Sequence, residues 1–201
     1  MEMEELSHEL NMEFSEDEDH ATTRALNFIS YLNDDEHCFA LHNIWGKYNG
    51  YEVEVFDYHY KEEGVWWWSP SWHKHRYHSF VVLKLEKDFP ELLMNADQNS
   101  PFKRIAKAFG SRDIDFESKE FSERYDVRCK DKKFAYDFCN ARMIDYLLSK
   151  PTIPVEVENH VIAIGIRRFI PVSRVEDHID HLVNIRQLMP GYLFEMQEQT
   201  A

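Results

Sequence analysis

The sequence predicts an α+β fold, in which an antiparallel sheet built from hairpins carries helices packed mainly on one face. Short runs rich in β-branched and aromatic residues are separated by turn residues, which is typical of strands in hairpins. Amphipathic patterns with helical spacing stand between these runs. The runs do not alternate in the regular β-α-β order of a parallel sheet, so we expect antiparallel pairing.

The N-terminal end differs in charge from the rest of the chain. Residues 1–20 contain nine acidic residues and no lysine or arginine, and they account for most of the formal net charge of −14. The remaining 181 residues carry only five of these negative charges. We therefore expect residues 1–19 to be a solvated acidic arm. Residues 20–201 should form a single α+β domain, because this length suits one hydrophobic core.

The first half of the domain predicts a helix followed by a hairpin. Asp19 can cap the first turn of the helix. The helix itself is indicated by apolar residues at helical spacing, namely Leu26, Ile29 and Leu32. The pair Asn49-Gly50 predicts a two-residue hairpin turn, because both positions of that turn need positive φ.

Two further strands are expected around a long connection. Val53 and Val55 alternate with glutamates, which predicts a strand with one buried face. Residues 77–86 are rich in β-branched and aromatic side chains and predict the next strand. Residues 61–76 lie between these strands and contain a glycine and a proline. We therefore expect a long hairpin connection whose tip projects from the sheet.

The middle of the chain predicts helical and extended segments in turn. Residues 100–110 predict a helix that starts with proline and ends at glycine. Residues 112–118 alternate acidic and apolar side chains, and residues 125–129 predict a short strand. A helical region follows from Asp131 and is expected to change direction near Asn140.

The C-terminal part predicts one hairpin and one helix. Residues 155–166 form two apolar-rich runs around residues 158–160, where we expect a turn. Ser173 and Glu176 have the spacing of a capping box, so the last helix is expected to begin there.

One segment concentrates aromatic and basic residues. Residues 64–80 read GVWWWSPSWHKHRYHSF and include four tryptophans, which are Trp66, Trp67, Trp68 and Trp72. Successive side chains of a strand point to opposite faces, so three consecutive tryptophans cannot all be buried. Exposed aromatic side chains often mark protein interfaces. We therefore expect these tryptophans to bind a protein partner.

Histidines in and near this segment give an alternative function. His73 and His75 are two residues apart on a strand and share a face, and His59 or His78 can approach from across the hairpin. Imidazole nitrogens bind zinc, and a zinc site normally needs three or four ligands. The alternative prediction is a zinc-binding protein or a metal-dependent hydrolase that uses these four histidines.

Other partners are weighed by charge and hydropathy. The tryptophans, with Lys74 and Arg76, suit base stacking and phosphate contact, but the acidic arm and the negative body disfavour nucleic acid. Contact with a membrane surface is a further alternative, because tryptophan prefers the headgroup zone. No apolar run approaches the ~20 residues of a membrane span, so no transmembrane segment is predicted.

The cysteines and the start of the chain predict the compartment. Cys38, Cys129 and Cys139 are odd in number and form no C-x-x-C pair, which favours reduced thiols. The acidic start also lacks the basic and apolar regions of a secretory signal. We therefore expect a cytoplasmic protein.

Familiar catalytic motifs are absent from the sequence. The six glycines include no G-x-G, and neither H-E-x-x-H nor G-x-S-x-G occurs. Two groups of polar residues remain as candidates for ligands, namely Asp113, Asp115 and Glu117, and the pairs Asp177-His178 and Asp180-His181. A solvated strand face and a solvated helix face explain both groups. We therefore expect a non-enzymatic protein without a resident cofactor.

Two stretches resemble a family of uncharacterised bacterial proteins that share a domain of unknown function. They are NIWGKYNGYEVEVFDYHY, residues 43–60, and DIDFESKEFSERYDV, residues 113–127, which the helical segment 131–148 continues. The resemblance covers about residues 40–165. Some members of this family carry membrane-spanning helices upstream. The shared residues are mostly aromatic, acidic and turn residues, so the resemblance implies a fold and no catalytic residue.

Overall fold

The structure, a computed structural model, describes residues 2–29, 32, 38–66, 69–95 and 114–195. For residues 62–66, 69–74 and 167 the description covers the backbone. Within these ranges the chain forms one antiparallel sheet of six strands and six α-helices, which confirms the predicted α+β class.

The sheet is organised around one long strand. The strands are β1 (Glu13–Ser15), β2 (Phe39–Tyr48), β3 (Tyr51–Trp66), β4 (Ser69–Asn95), β5 (Asp126–Cys129) and β6 (Val155–Arg167). The first four follow one another across the sheet. β3 and β5 pair with successive parts of β4, and β6 pairs with β4 along its other edge. Every pairing between these six strands is antiparallel, as expected for a sheet built from hairpins.

The helices cover the two faces of the sheet unequally. They are α1 (Glu2–Glu9), α2 (His20–Ala25), α3 (Lys119–Arg124), α4 (Lys132–Phe138), α5 (Ala141–Leu148) and α6 (Val175–Leu188). Short 3-10 turns at Val172–Arg174 and Gly191–Leu193 flank α6. All helices except α2 contribute to the larger core on one side, here called the main face. The opposite side, the α2 face, is closed by Leu26, Ile29 and Leu32.

Strand alternation divides the core between these faces. On β3, Val53 and Val55 belong to the core of the main face, whereas Phe56 and Tyr58 belong to the core of the α2 face. All four side chains are at most 3% exposed. The centre of the sheet is therefore buried on both sides, and this leaves its ends and edges for contacts with other molecules.

Several local predictions are confirmed. Asn49 and Gly50 have φ values of 50° and 88°, as the two-residue turn between β2 and β3 requires. Asp19 accepts hydrogen bonds from two N–H groups in the first turn of α2. Asp131 caps α4 and Asn140 caps α5 in the same way. The helical region therefore changes direction at Asn140, as predicted.

The long connection predicted at residues 61–76 is replaced by continued strands. β3 extends to Trp66 and β4 begins at Ser69. Backbone pairs such as Lys61 with His75 join the two strands over most of this stretch. The glycine and the proline lie near the strand ends, where pairing tolerates them. The predicted loop is thus the outer part of one long hairpin.

The prediction of a hairpin at residues 155–166 is wrong. β6 is one strand of 13 residues, and Asn159 has a φ of 52° where the pairing with β4 shifts register. A single residue with left-handed backbone bends a strand without reversing it.

The N-terminal residues are docked, in contrast to the solvated arm that we expected. Leu6 of α1 and Met12 join the core of the main face, and β1 pairs with β2. Gly46 makes this approach feasible, because a Cβ at its position would lie 3.0 Å from Cγ of Met12. The exposed face of α1 carries Glu2, Glu4 and Glu5, so the acidic composition is compatible with docking.

Other predictions are corrected or lie outside the described residues. The helix at residues 100–110 and Asp113 lie outside them. Residues 114–118 form no strand, and Ser118 instead caps α3, which was not predicted. The capping box predicted for α6 is not formed, since the helix begins at Val175 without a side-chain cap.

Candidate functional site

The tip of the β3–β4 hairpin carries the predicted tryptophans. Trp67 and Trp68 lie outside the described residues, and the backbone alone is described for Trp66, Trp72 and His73. Partner binding by the four tryptophans therefore stays a prediction.

The described histidines divide between the two faces of the hairpin. Nε2 of His59 and Nδ1 of His75 are 2.7 Å apart, within hydrogen-bonding distance, on the side of the main face. His78 lies on the side of the α2 face, where its Nε2 is 2.9 Å from the hydroxyl oxygen of Tyr60. Because His78 and His59 project to opposite sides of the sheet, one site cannot join all four predicted histidines.

Within the described ranges, a group of three side chains with metal-ligating spacing is formed by Glu91, Glu156 and Glu158, and it includes no histidine. Zinc at His59, His73 and His75 therefore stays a prediction, to be tested by elemental analysis of protein purified without chelator.

The acidic group has a simpler explanation than a metal. Ligand oxygens of Glu91, Glu156 and Glu158 lie within 4.8 Å of one another. Burial and, to a smaller extent, the charge of Glu91 raise the pKa of Glu158 to about 7 against the opposing charge of Lys130. A carboxyl group that keeps its proton near neutral pH relieves the repulsion within the group. The group therefore does not by itself define a metal site.

A row of rings lies at the base of the outer hairpin. This hairpin-base cluster consists of five side chains from three strands and the segment after β6, namely Phe39, His59, His75, Tyr77 and Phe169. The ring centroids of Phe39 and His59 are 4.4 Å apart, and the rings are stacked. His59 is 5.0 Å from both His75 and Tyr77. Tyr77 is in turn 5.0 Å from Phe169, so the rings form a continuous row.

The hairpin-base cluster stands outside both hydrophobic cores. Among the described residues, none of its members belongs to the core of the main face or to that of the α2 face. His59 is 3% exposed, whereas Phe169 is 52% exposed. The row therefore runs from a buried imidazole to an exposed phenyl ring, and it presents apolar surface to solvent at its outer end.

A network of hydrogen bonds beside the hairpin-base cluster joins strands β2, β3 and β4 to the segment after β6. Nδ1 of His42 is 2.9 Å from Oδ2 of Asp57, and the hydroxyl of Ser79 donates to Oδ1 of Asp57 at 2.5 Å. The N–H of Ile170 donates to the same hydroxyl at 2.9 Å. A hydrolase would need the imidazole, not the carboxylate, next to the serine. The network therefore anchors the segment that carries Phe169 and does not resemble a nucleophile with its base.

The sequence did not predict a pocket on the α2 face. It has a volume of about 840 Å³ and lies between residues 15–22 and the strands β2, β3, β4 and β6. Its apolar lining includes Leu26, Trp45, Val82 and Val161. Its charged lining consists of Asp17, Glu18, Asp19, Lys47, Glu52, Glu54, Lys84 and His160. We call it the acid-floored pocket, and we refer to Asp19, Thr22 and Glu54, which are joined by hydrogen bonds, as its base.

The two acids at the base differ in their protonation. Burial raises the pKa of Glu54, a hydrogen bond from Thr22 opposes the shift, and the charge of Asp19 adds to it. Burial would also raise the pKa of Asp19, but hydrogen bonds from Thr22 and Ala21 outweigh it and hold this pKa below its usual range. Asp19 is thus the ionised member of the pair, and Glu54 is the one that takes up a proton more readily.

The functional residues missed by the sequence analysis come from distant segments. Phe169 meets Tyr77 through the strand pairing of β4 with β6, and Asp19 meets Glu54 because α2 packs across the sheet. One local signal was present. Trp45 lies between Ile44 and Gly46, and neighbouring side chains of a strand point to opposite faces. Its side chain therefore lies on the face opposite to that of Ile44.

Comparison with known proteins shows the fold. No family model and no curated protein matches the chain. The crystal structure of the mycobacterial trehalose monomycolate transport factor A is similar, with a TM-score of 0.59 over 94% of each chain and 7% sequence identity. At this identity the likeness is one of architecture. Among the described residues, no helix combines the length and apolarity needed to cross a membrane.

The cysteines have the properties of structural thiols. Cys38, Cys129 and Cys139 are free and buried. Burial raises the pKa of Cys129 to about 11, and it raises the pKa of Cys139 as well. Thiols that keep their protons are poor nucleophiles and poor metal ligands.

Proposed function

We propose that the chain is a non-enzymatic binding module that engages a protein partner through residues 64–80 and the hairpin-base cluster. The hairpin-base cluster carries the proposal. It is a continuous row of rings outside both cores that ends in the exposed Phe169. A row of rings that belongs to neither hydrophobic core and reaches the surface is suited to association with another protein.

The chemistry of the row suits a protein surface. Interface centres are rich in aromatic side chains and poor in charged ones. Tyr77 and His75 add polar atoms to the rings, which lets such a surface bind both apolar and hydrogen-bonding groups. Because His59 stacks on Phe39, the rings are already ordered, and binding costs less side-chain entropy.

The charge distribution favours a protein over a nucleic acid. The chain has a formal net charge of −14, and this repels a polyanion over the Debye length. A cytoplasmic location is part of the proposal, since the three free thiols agree with a reducing compartment.

The protein of similar fold agrees with a binding role. It is named as a trehalose monomycolate transport factor, and a non-enzymatic binding role is compatible with that name. With 7% identity, neither this ligand nor a site is carried over to the present chain.

Substitution of aromatic side chains in the proposed binding surface tests the proposal. Phe169→Ala and the double variant Trp67→Ala/Trp68→Ala should each reduce specific partner capture at least about tenfold, because aromatic anchors contribute most of the binding energy of an interface. The measurement is quantitative co-purification from a lysate of the organism that encodes the protein, followed by affinity measurement with the purified partner.

A matched control separates specific binding at the proposed interface from nonspecific binding to exposed aromatic side chains. Tyr136 on α4 is 51% exposed, close to the 52% of Phe169, and lies away from the hairpin. Tyr136→Ala should leave capture unchanged, and circular dichroism should show equal folding of all variants. The proposal would be contradicted if the parent chain, the Phe169 variant and the tryptophan variant captured the same proteins in the same amounts.

A further inference from the structure

We propose that the acid-floored pocket binds an aliphatic amine of the diamine or polyamine class, with an ammonium group at Glu54 and the hydrocarbon chain against Trp45. This site shares no lining residue with residues 64–80 or the hairpin-base cluster, and it does not depend on the protein-binding role.

The hydroxyl of Thr22 has one hydrogen but contacts two carboxyl groups. Its Oγ1 is 2.8 Å from Oδ2 of Asp19 and 2.9 Å from Oε1 of Glu54. A hydroxyl donates to one acceptor at a time, and an ionised carboxylate can only accept. When both acids are ionised, the base of the pocket is therefore one donor short. Either a proton on Glu54 or a hydrogen-bond donor from a ligand supplies the missing donor.

Asn43 supplies a second acceptor without a donor. Its Nδ2 donates to Oδ2 of Asp19 at 3.2 Å, and exchange of the amide atoms would place oxygen against oxygen, so the orientation is fixed. The side chain is 3% exposed and lines the pocket. Within the described part of the chain, its Oδ1 is buried without a hydrogen-bond partner. A buried acceptor in this state is costly, which favours a donor-rich ligand.

The walls of the pocket select the rest of the ligand. Trp45 is paired with Glu54 across β2 and β3, so the indole and the carboxyl group share one face of the sheet. Trp45 is 39% exposed, and Val82 and Val161 continue the apolar wall. An indole face attracts a cation and packs against methylene groups. The pocket thus pairs a hydrocarbon surface with a carboxyl group at its base.

The charge of the lining excludes an anionic ligand. Nζ of Lys84 pairs with Glu52 at 2.9 Å, and Nδ1 of His160 lies 3.5 Å from Oδ1 of Asp88. This leaves Lys47 against Asp17, Glu18, Asp19 and Glu54. Acids at the rim as well as at the base offer contacts for a second ammonium group. A molecule with amines at both ends of an aliphatic chain therefore satisfies more of the pocket than a monoamine.

Isothermal titration calorimetry with 1,5-diaminopentane tests the site on the full chain. The diamine should bind with one molecule per chain, and uncharged 1,5-pentanediol should give no heat of binding. Glu54→Gln should weaken the diamine at least about tenfold, since a buried charge partner is removed. The new amide can donate to Thr22, so folding is expected to persist.

Two further variants provide a charge control and a test of the apolar wall. Asp145→Asn makes the same charge change on the exposed side of α5 and should leave the affinity within about twofold. Trp45→Ala alters an exposed wall residue and should weaken the diamine about threefold or more. No binding of the diamine, equal losses in the Glu54 and Asp145 variants, or tighter binding of magnesium ion than of the diamine would each overturn the assignment.

Discussion

His181 on α6 shows how burial sets the protonation of a single residue. It is 6% exposed, its ring stacks on that of Tyr146, and its Nδ1 lies 3.0 Å from the hydroxyl oxygen of Tyr146. Burial lowers its pKa to about 4, and the nearby charges of His178 and Lys150 act in the same direction. The imidazole is therefore neutral at neutral pH, and its Nδ1 shares a hydrogen bond with the tyrosine hydroxyl.

The lowered pKa predicts a loss of stability in acid. Between pH 6.5 and about 4 the unfolded chain binds a proton at His181 that the folded chain excludes, so the free energy of unfolding falls as the pH falls. The full effect is roughly 3 kcal/mol. His181→Gln should flatten this slope in urea titrations from pH 4 to pH 7.

A control for this slope retains the buried imidazole. Tyr146→Phe removes the hydrogen bond but leaves burial, the main cause of the lowered pKa, in place. The slope should therefore persist in Tyr146→Phe. Parallel pH profiles for the parent chain and His181→Gln would show that His181 does not control acid stability.

At the scale of one element, β6 shows how a turn signal is overridden. The polar residues at 158–160 predict a reversal, yet the strand runs on through Asn159 with a φ of 52°. β4 pairs with β6 on both sides of this point, through Lys84 with Val161 and through Leu92 with Val157. The ladder on either side holds the direction of the strand, and the irregularity is confined to a bulge.

Substitutions at Asn159 test the strained backbone. Asn159→Val should lower the free energy of unfolding by about 1–2 kcal/mol, because a β-branched side chain is disfavoured at positive φ. Asn159→Gly should change it by less than about 0.5 kcal/mol, since glycine adopts this conformation freely. The midpoint of urea unfolding measures both. A harmless Asn159→Val would mean that the residue is not left-handed in solution.

At the scale of the whole molecule, the N-terminal segment is part of the sheet and its core. β1 adds a strand beside β2, and Leu6 and Met12 bury their side chains on the main face. The same segment leads to Asp19, which caps α2 and lies at the base of the acid-floored pocket. The N-terminal segment therefore contributes both to the core of the main face and to the pocket.

Leu6→Ala tests this docking. Loss of a buried leucine should lower the free energy of unfolding by about 2 kcal/mol in urea. Glu5→Ala, on the exposed side of the same helix, should have little effect. Equal stability of the parent chain and Leu6→Ala would restore the solvated acidic arm that the composition predicts.

The predictions that succeeded depend on neighbours in sequence. The cap at Asp19, the start of the helical region at Asp131, its change of direction at Asn140 and the turn at Asn49-Gly50 depend on contacts within two to four residues, so their residue types are sufficient. The same holds for the α+β class, which follows from hydrophobic periodicity. The continuous β6 and the docked α1 could not be predicted in this way, because their conformation is selected by long-range pairing and packing.

The sequence by itself thus determined the type of most elements, the long hairpin and the aromatic character of its outer part. The tertiary structure alone decided that His59 and His78 project to opposite faces, that Phe169 completes the hairpin-base cluster, and that a pocket exists on the α2 face. The physical reason is that periodicity records which face of an element is apolar but not which elements meet. Rings and carboxyl groups from distant segments come together only when strand register and helix packing are fixed.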